Sequence, residues 1–85
     1  MNKTIKLRVK KESERESELK VLKLKGTLIS KGYTEIIHIE DENEDFYVNT
    51  FSTSIELKKE AENYILDYIS SHNVNDIITL LSTVK

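Results

Sequence analysis

The stretch DIITLLSTVK, Asp76 to Lys85, decides the fold, because it accepts two readings. Ile77, Ile78, Leu80, Leu81 and Val84 recur at a spacing that a helix can use, while the β-branched content suits a strand almost as well. Periodicity alone does not assign so short an apolar run. The choice has to come from the elements before it.

TIKLRVK, Thr4 to Lys10, sets Ile5, Leu7 and Val9 in alternation with Lys6, Arg8 and Lys10, the period-2 pattern of a strand with one buried face. Ser13 and Glu16 then form a capping-box pair that predicts a helix start. Val21, Leu22, Leu24, Leu28 and Ile29 fall on one arc of that helix, with Lys25 intruding, and Gly32 is placed to end it in the left-handed conformation. Thr34 to Glu40 and Asp45 to Phe51 read as two strands around a turn centred on Glu42-Asn43. That register puts Ile39 opposite Phe46 and Ile37 opposite Val48 on one face, with His38 opposite Tyr47 on the other. A second capping-box pair, Thr53 and Glu56, opens a helix on which Leu57, Ala61, Tyr64, Ile65, Tyr68 and Ile69 share a side.

Strand, helix, strand, strand, helix is the order of a split βαβ arrangement, in which a last strand covers the open edge beside the first. The tail is therefore read as a strand. The fold class expected is α+β, a small two-layer sandwich of ferredoxin-like βαββαβ order, the alternative being βαββα with a C-terminal helix. The expected core is an inward row of Ile5, Leu7, Val9, Ile37, Ile39, Phe46 and Val48 beneath two helices.

Eighty-five residues, 38% hydrophobic and 33% charged, form one globular domain over 1–85. The absence of cysteine excludes disulfides, thiolate nucleophiles and cysteine-ligated zinc. Met1 to Thr4 lead directly into the first strand with no apolar run of signal or membrane-span length, so a cytoplasmic protein with no membrane association is expected. Residues 1–31 carry a balance of +6 and residues 32–85 a balance of −8, for a net charge of −2. Such asymmetry steers oppositely charged partners if the two halves occupy separate surfaces, and cancels if they interleave.

The densest acidic run, IEDENEDFYV (Ile39 to Val48), resembles the first half of a calcium loop in Asp41-x-Asn43-x-Asp45. Phe46 stands where that loop needs glycine and Ser52 where it needs the bidentate glutamate, so no metal site and no cofactor are read here. Carboxylates at a hairpin tip sit in water, which suits neither general acid nor general base work. Asp41, Glu42, Glu44 and Asp45 instead suggest an anionic surface for a protein partner with a basic surface. The other candidate is the outer sheet face, where Lys6, Arg8 and Lys10 beside Tyr47 and His38 would attract phosphate and stack bases of single-stranded nucleic acid. His38 has no serine, cysteine or second histidine placed by spacing to work with it, so no catalytic residue is assigned. His72 is read as a group capping the end of the second helix.

FYVNTFSTSIELKKEAENYI, Phe46 to Ile65, resembles the strand, phenylalanine, small-residue turn and alanine-bearing helix of SPOR-type peptidoglycan-binding domains. The resemblance implies βαββαβ topology. The glycine those domains often carry before the phenylalanine is absent, which leaves glycan binding outside the reading. The expected function is a non-catalytic protein that binds or inhibits a protein partner through the acidic hairpin and neighbouring helix. The Lys-, Ile-, Glu- and Asn-rich composition suits phage or mobile-element encoded inhibitors of the anti-defence type. A single-stranded nucleic-acid binder is the alternative, and a homodimer through a strand edge stays open.

Overall fold

The computed structural model describes residues 2–81. Along the chain run β1 (Asn2–Lys10), α1 (Arg15–Ser30), β2 (His38–Asp41), β3 (Phe46–Ser54), α2 (Ile55–Ser71) and β4 (Ile78–Leu81). The strands form one sheet in the order β2-β3-β1-β4 with every neighbouring pair antiparallel. This is a compact α+β domain with ferredoxin-like βαββαβ order. The tail is a strand as far as Leu81, and the remaining positions of the predicted segment, 82–85, lie outside the described residues. Its residues go where β1 needs a second neighbour: Ile78 pairs with Val9 and Leu80 with Leu7, which sets Ile78 in the core and Leu80 against it.

Ile5, Leu7 and Val9 are buried as their alternation requires, whereas the hairpin register differs from the expected one. Ile39 lies opposite Asn49, Glu40 opposite Val48 and Asp41 opposite Tyr47. The slip is three residues, an odd number, and an odd slip turns every side chain of a strand to the other face. Tyr47, Asn49, Phe51 and Thr53 therefore point toward the helices. Phe46 and Val48, expected inside, are on the outer face opposite Lys10 and Arg8. Ile37 precedes β2 and packs at the edge of the core, and Ile39 faces inward yet stays 54% exposed.

Two causes explain the slip. β3 runs on to Ser54, so Phe51 becomes available opposite Ile5 in the middle of the sheet, where its burial is complete; Phe46 starts the strand opposite Lys10, at the hairpin end, where the neighbouring Tyr47 is still partly exposed. The turn agrees with this choice. Asn43 Oδ1 accepts hydrogen bonds from the backbone N–H of Asp45 (2.8 Å) and of Phe46 (3.0 Å), and Glu42 N–H donates to the Phe46 carbonyl, so the tip is centred on Glu44.

On α1, Val21, Leu24 and Leu28 are buried, but Leu22 and Ile29, expected on the same arc, are exposed. Ala61, Ile65, Tyr68 and Ile69 bury one side of α2, with Leu57 and Tyr64 packed beside them. The Tyr68 hydroxyl donates to the Lys20 carbonyl at 2.8 Å, and Lys20 Nζ donates to the His72 carbonyl at 3.1 Å, fastening the helices to each other. His72 ends α2, stacked on Tyr68 with ring centres 3.9 Å apart.

Neither expected capping box forms. α1 starts at Arg15 after Glu14, and α2 starts at Ile55 after Ser54; neither has a side-chain cap. Thr53 is still part of β3, and its buried hydroxyl has no hydrogen-bond partner. Acidic side chains in the first turns, Glu16 and Glu18 on α1 and Glu56 on α2, complement the helix dipoles instead.

The C-termini are closed more firmly. After α1, Gly32 N–H reaches the Ile29 carbonyl and Tyr33 N–H the Leu28 carbonyl; after α2, Asn73 N–H reaches Ser70 and Val74 N–H reaches Ile69. Both are Schellman motifs, each with its hydrophobic pair (Tyr33 with Leu28, Val74 with Ile69) buried. Gly32 has φ 83° and Asn73 φ 57°. A Cβ at Gly32 would meet nothing within 4 Å, so a substitution there is opposed by backbone conformation alone. Gly32→Ala is expected to lower unfolding free energy by about 1 kcal/mol, and Asn73→Gly to raise it by roughly 0.5 kcal/mol, both measured by urea denaturation.

Candidate functional site

The observed hairpin register sets Ile39, Tyr47 and Asn49 along one side of a groove. Between the base of the β2–β3 hairpin and α1 lies a cleft of about 420 Å³, with walls that include Val9, Val21, Leu22, Ile39 and Tyr47 and a floor at Asn49. Asn49 is fully buried in the sheet between Leu7 and Ile39. Its Oδ1 accepts a hydrogen bond from Lys25 Nζ at 3.3 Å, and the partial burial of that ammonium lowers the Lys25 pKa below its ordinary value of 10.5. No carboxylate forms an ion pair with Lys25 among the described residues. The buried Asn49 amide on the inner sheet face and the partly buried Lys25 ammonium above it on α1 cost stability relative to apolar packing at the same place.

The acidic candidates divide. Glu42 makes a bidentate pair with Arg8 at 2.7 and 2.8 Å, and Arg8 lies 5.4 Å from the centre of the Phe46 ring. The carboxylate raises the guanidinium pKa further. Asp41 pairs with Lys11 at 2.9 Å, and Lys11 Nζ lies 5.0 Å from the Tyr47 ring centre. Each contact sets a cation between a carboxylate and an aromatic ring, one on each face of the sheet, and together they hold the hairpin to β1 and the residue after it. Glu44 and Asp45 at the tip form no ion pair among the described residues. The basic and acidic halves of the chain thus meet at the hairpin.

The basic candidates stay on one face, apart from their aromatic partner. Lys6, Arg8 and Lys10 share the outer face with His38, which lies opposite Thr50, itself opposite Lys6. Tyr47, expected among them, is on the helix side because of the slip, and the aromatic ring left on the outer face, Phe46, is beneath Arg8. A second, polar cleft of about 460 Å³ brings His38 together with Ser52 and Ser54, a proximity that spacing could not show. None of the described hydrogen bonds joins His38 to either serine or to a carboxylate. Among the described residues no cluster of three or more histidine and acidic side chains could hold a metal ion, and no helix is long and apolar enough to cross a membrane.

Sequence reasoning missed Lys11, Lys25, Asn49 and the groove itself. The available signal was the intrusion of Lys25 on an apolar arc and of Asn49 between Tyr47 and Phe51. The chain matches no family model, no curated protein and no solved structure. None of these comparisons supports the resemblance of Phe46–Ile65 to SPOR-type domains.

Removing both partners of the groove's polar pair tests whether it costs stability. Lys25→Met/Asn49→Leu is expected to be more stable than the parent chain by about 1 kcal/mol at neutral pH, allowing for the water that reaches the ammonium. A lowered folded pKa leaves the unfolded chain binding more protons, so the parent gains stability with pH across the window from that lowered value up to 10.5. The advantage of the variant should shrink across that window, as read from urea midpoints at neutral and alkaline pH.

Proposed function

We propose that this domain is a non-catalytic interaction protein that binds or inhibits a protein partner through the β2–β3 hairpin and α1. The observation that carries the reading is the groove. Ile39 from the hairpin and Leu22 from α1 stand 54% and 60% exposed on either side of the Lys25–Asn49 floor, next to an acidic tip. Exposed aliphatic side chains around a concave polar centre suit an anchor residue on another protein, with Glu44 and Asp45 meeting basic groups at its rim. The composition is compatible with an inhibitor of the phage or mobile-element kind that acts inside the cell. Nucleic-acid binding through the outer face is the weaker reading, because Arg8 is tied to Glu42 and no open ring accompanies Lys6 and Lys10.

The two readings separate in a capture experiment from host lysate, with and without nuclease, using the parent chain, Ile39→Asp and Glu44→Lys/Asp45→Lys. These substitutions leave the ties through Asp41 and Glu42 intact, so circular dichroism should not change. A partner retained after nuclease by the parent and lost with both variants is the expected result. Recovery that disappears with nuclease, together with salt-sensitive binding of labelled single-stranded RNA, would shift the assignment to nucleic acid.

A further inference from the structure

α1 is apolar on two sides, and the fold covers one. Opposite the buried Val21, Leu24 and Leu28 run Arg15, Leu19, Leu22, Gly26 and Ile29, spaced by four, three, four and three residues, the spacing of a helix-pairing seam. Leu19, Leu22 and Ile29 are 52%, 60% and 44% exposed. Gly26, within the seam, weakens the helix by about 1 kcal/mol relative to alanine, and a Cβ added there would meet nothing within 4 Å. The seam therefore has an open notch where another backbone or side chain can approach closely.

The flanks say what fits there. Of the charges that flank the seam, Glu16 and Glu18 lie in the first turn and Lys23 and Lys25 farther along, while Arg15 belongs to the seam and Lys20 lies away from it. Glu18 and Lys25 border one side of the seam, Glu16 and Lys23 the other. Such a surface complements itself when reversed. We infer that α1 pairs antiparallel with α1 of a second copy of this chain, across a two-fold axis.

In this pairing Leu19 of each copy packs against Leu22 of the other, and the Arg15 stem lies across the opposite Gly26. Glu16 then meets Lys23, and Glu18 meets Lys25, each twice, giving four attractive pairs. A shift by one heptad sets Lys23 against Lys23 and Lys25 against Lys25. A parallel alignment retains only the Glu18 to Lys23 contacts. Charge thus selects both direction and register. Lys25, which has an amide and no carboxylate beside it in the single chain, gains one. The seam is short, so the dimer is at the weak end of specific association. The seam shares Leu22 and Lys25 with the groove, but Ile39, Tyr47 and the acidic tip take no part, so Ile39→Asp should leave the pairing intact.

Sedimentation equilibrium of the full chain from roughly 10 µM to 1 mM tests the pairing in the concentration range where such an interface associates. The parent chain should show a monomer–dimer equilibrium, and Leu19→Asp, at an exposed position outside the groove, should be monomeric with unchanged circular dichroism. Glu16→Lys and Lys23→Glu should each weaken the dimer by about tenfold, since each turns two attractive pairs repulsive. Mixing those two variants, or combining both changes in one chain, should restore it. A parent chain that stays monomeric to about 1 mM, the upper end of that range, a dimer indifferent to Leu19→Asp, or charge variants that fail to rescue each other would overturn the inference. So would a different protein whose binding is lost with Leu19→Asp while the parent chain remains monomeric.

Discussion

β1 and β3 pair along the whole of both strands, from Asn2 opposite Ser54 to Lys10 opposite Phe46, and this ladder governs the rest of the molecule. Because side chains alternate along a strand, one pair fixes the facing of all the others. Ile5 opposite Phe51 is that pair, with both side chains removed from water. It places Asn49 and Tyr47 beneath the helices, leaves Phe46 and Val48 outside, and opens the groove over Asn49. Pairing of β4 and β2 on either side of this ladder completes the sheet.

β3 could have faced either way on hydrophobicity alone. Phe46 and Val48 occupy one parity, Tyr47 and Phe51 the other, and an isolated hairpin would favour the first with Ile37 and Ile39. Phe51 and Ile5 are fully buried in the middle of the ladder, whereas Tyr47 and Ile39 near the hairpin stay 38% and 54% exposed even on the inner face, so burial in the middle is worth more. This is why the topology was legible in the sequence and the face of its central strand was not. β1 alternates without ambiguity, α2 has one apolar side, and the order of elements left a place for β4. The hairpin register depended on where the helices lie, which no local pattern records. The second capping box misled for a related reason: the sheet kept Thr53 in the ladder, and first-turn Glu56 complements the start of α2 instead.

The basic and acidic parts of the chain are joined at the same end of the sheet. Arg8 with Glu42 and Lys11 with Asp41 join the basic first part to the acidic second part, one contact on each face of the sheet. Each holds an aromatic ring beside it, so the hairpin is positioned by side chains as well as by its ladder. Among the described side chains that form no ion pair are Glu44 and Asp45 at the tip, Lys25 in the groove, and the charges that flank the α1 seam. A seam and a groove that meet at Leu22 give one side of a small domain two distinct surfaces, and the two are separable because Leu19 serves only the seam while Ile39 serves only the groove.

The facing of β3 underlies all of this, and comparison of two phenylalanine truncations measures it most directly. Phe51→Ala should cost about 3–5 kcal/mol of unfolding free energy, as for a fully enclosed aromatic ring, while Phe46→Ala on the outer face should cost no more than about 1 kcal/mol. The reverse order, with Phe46 the expensive residue, would contradict the ladder and remove the groove along with it.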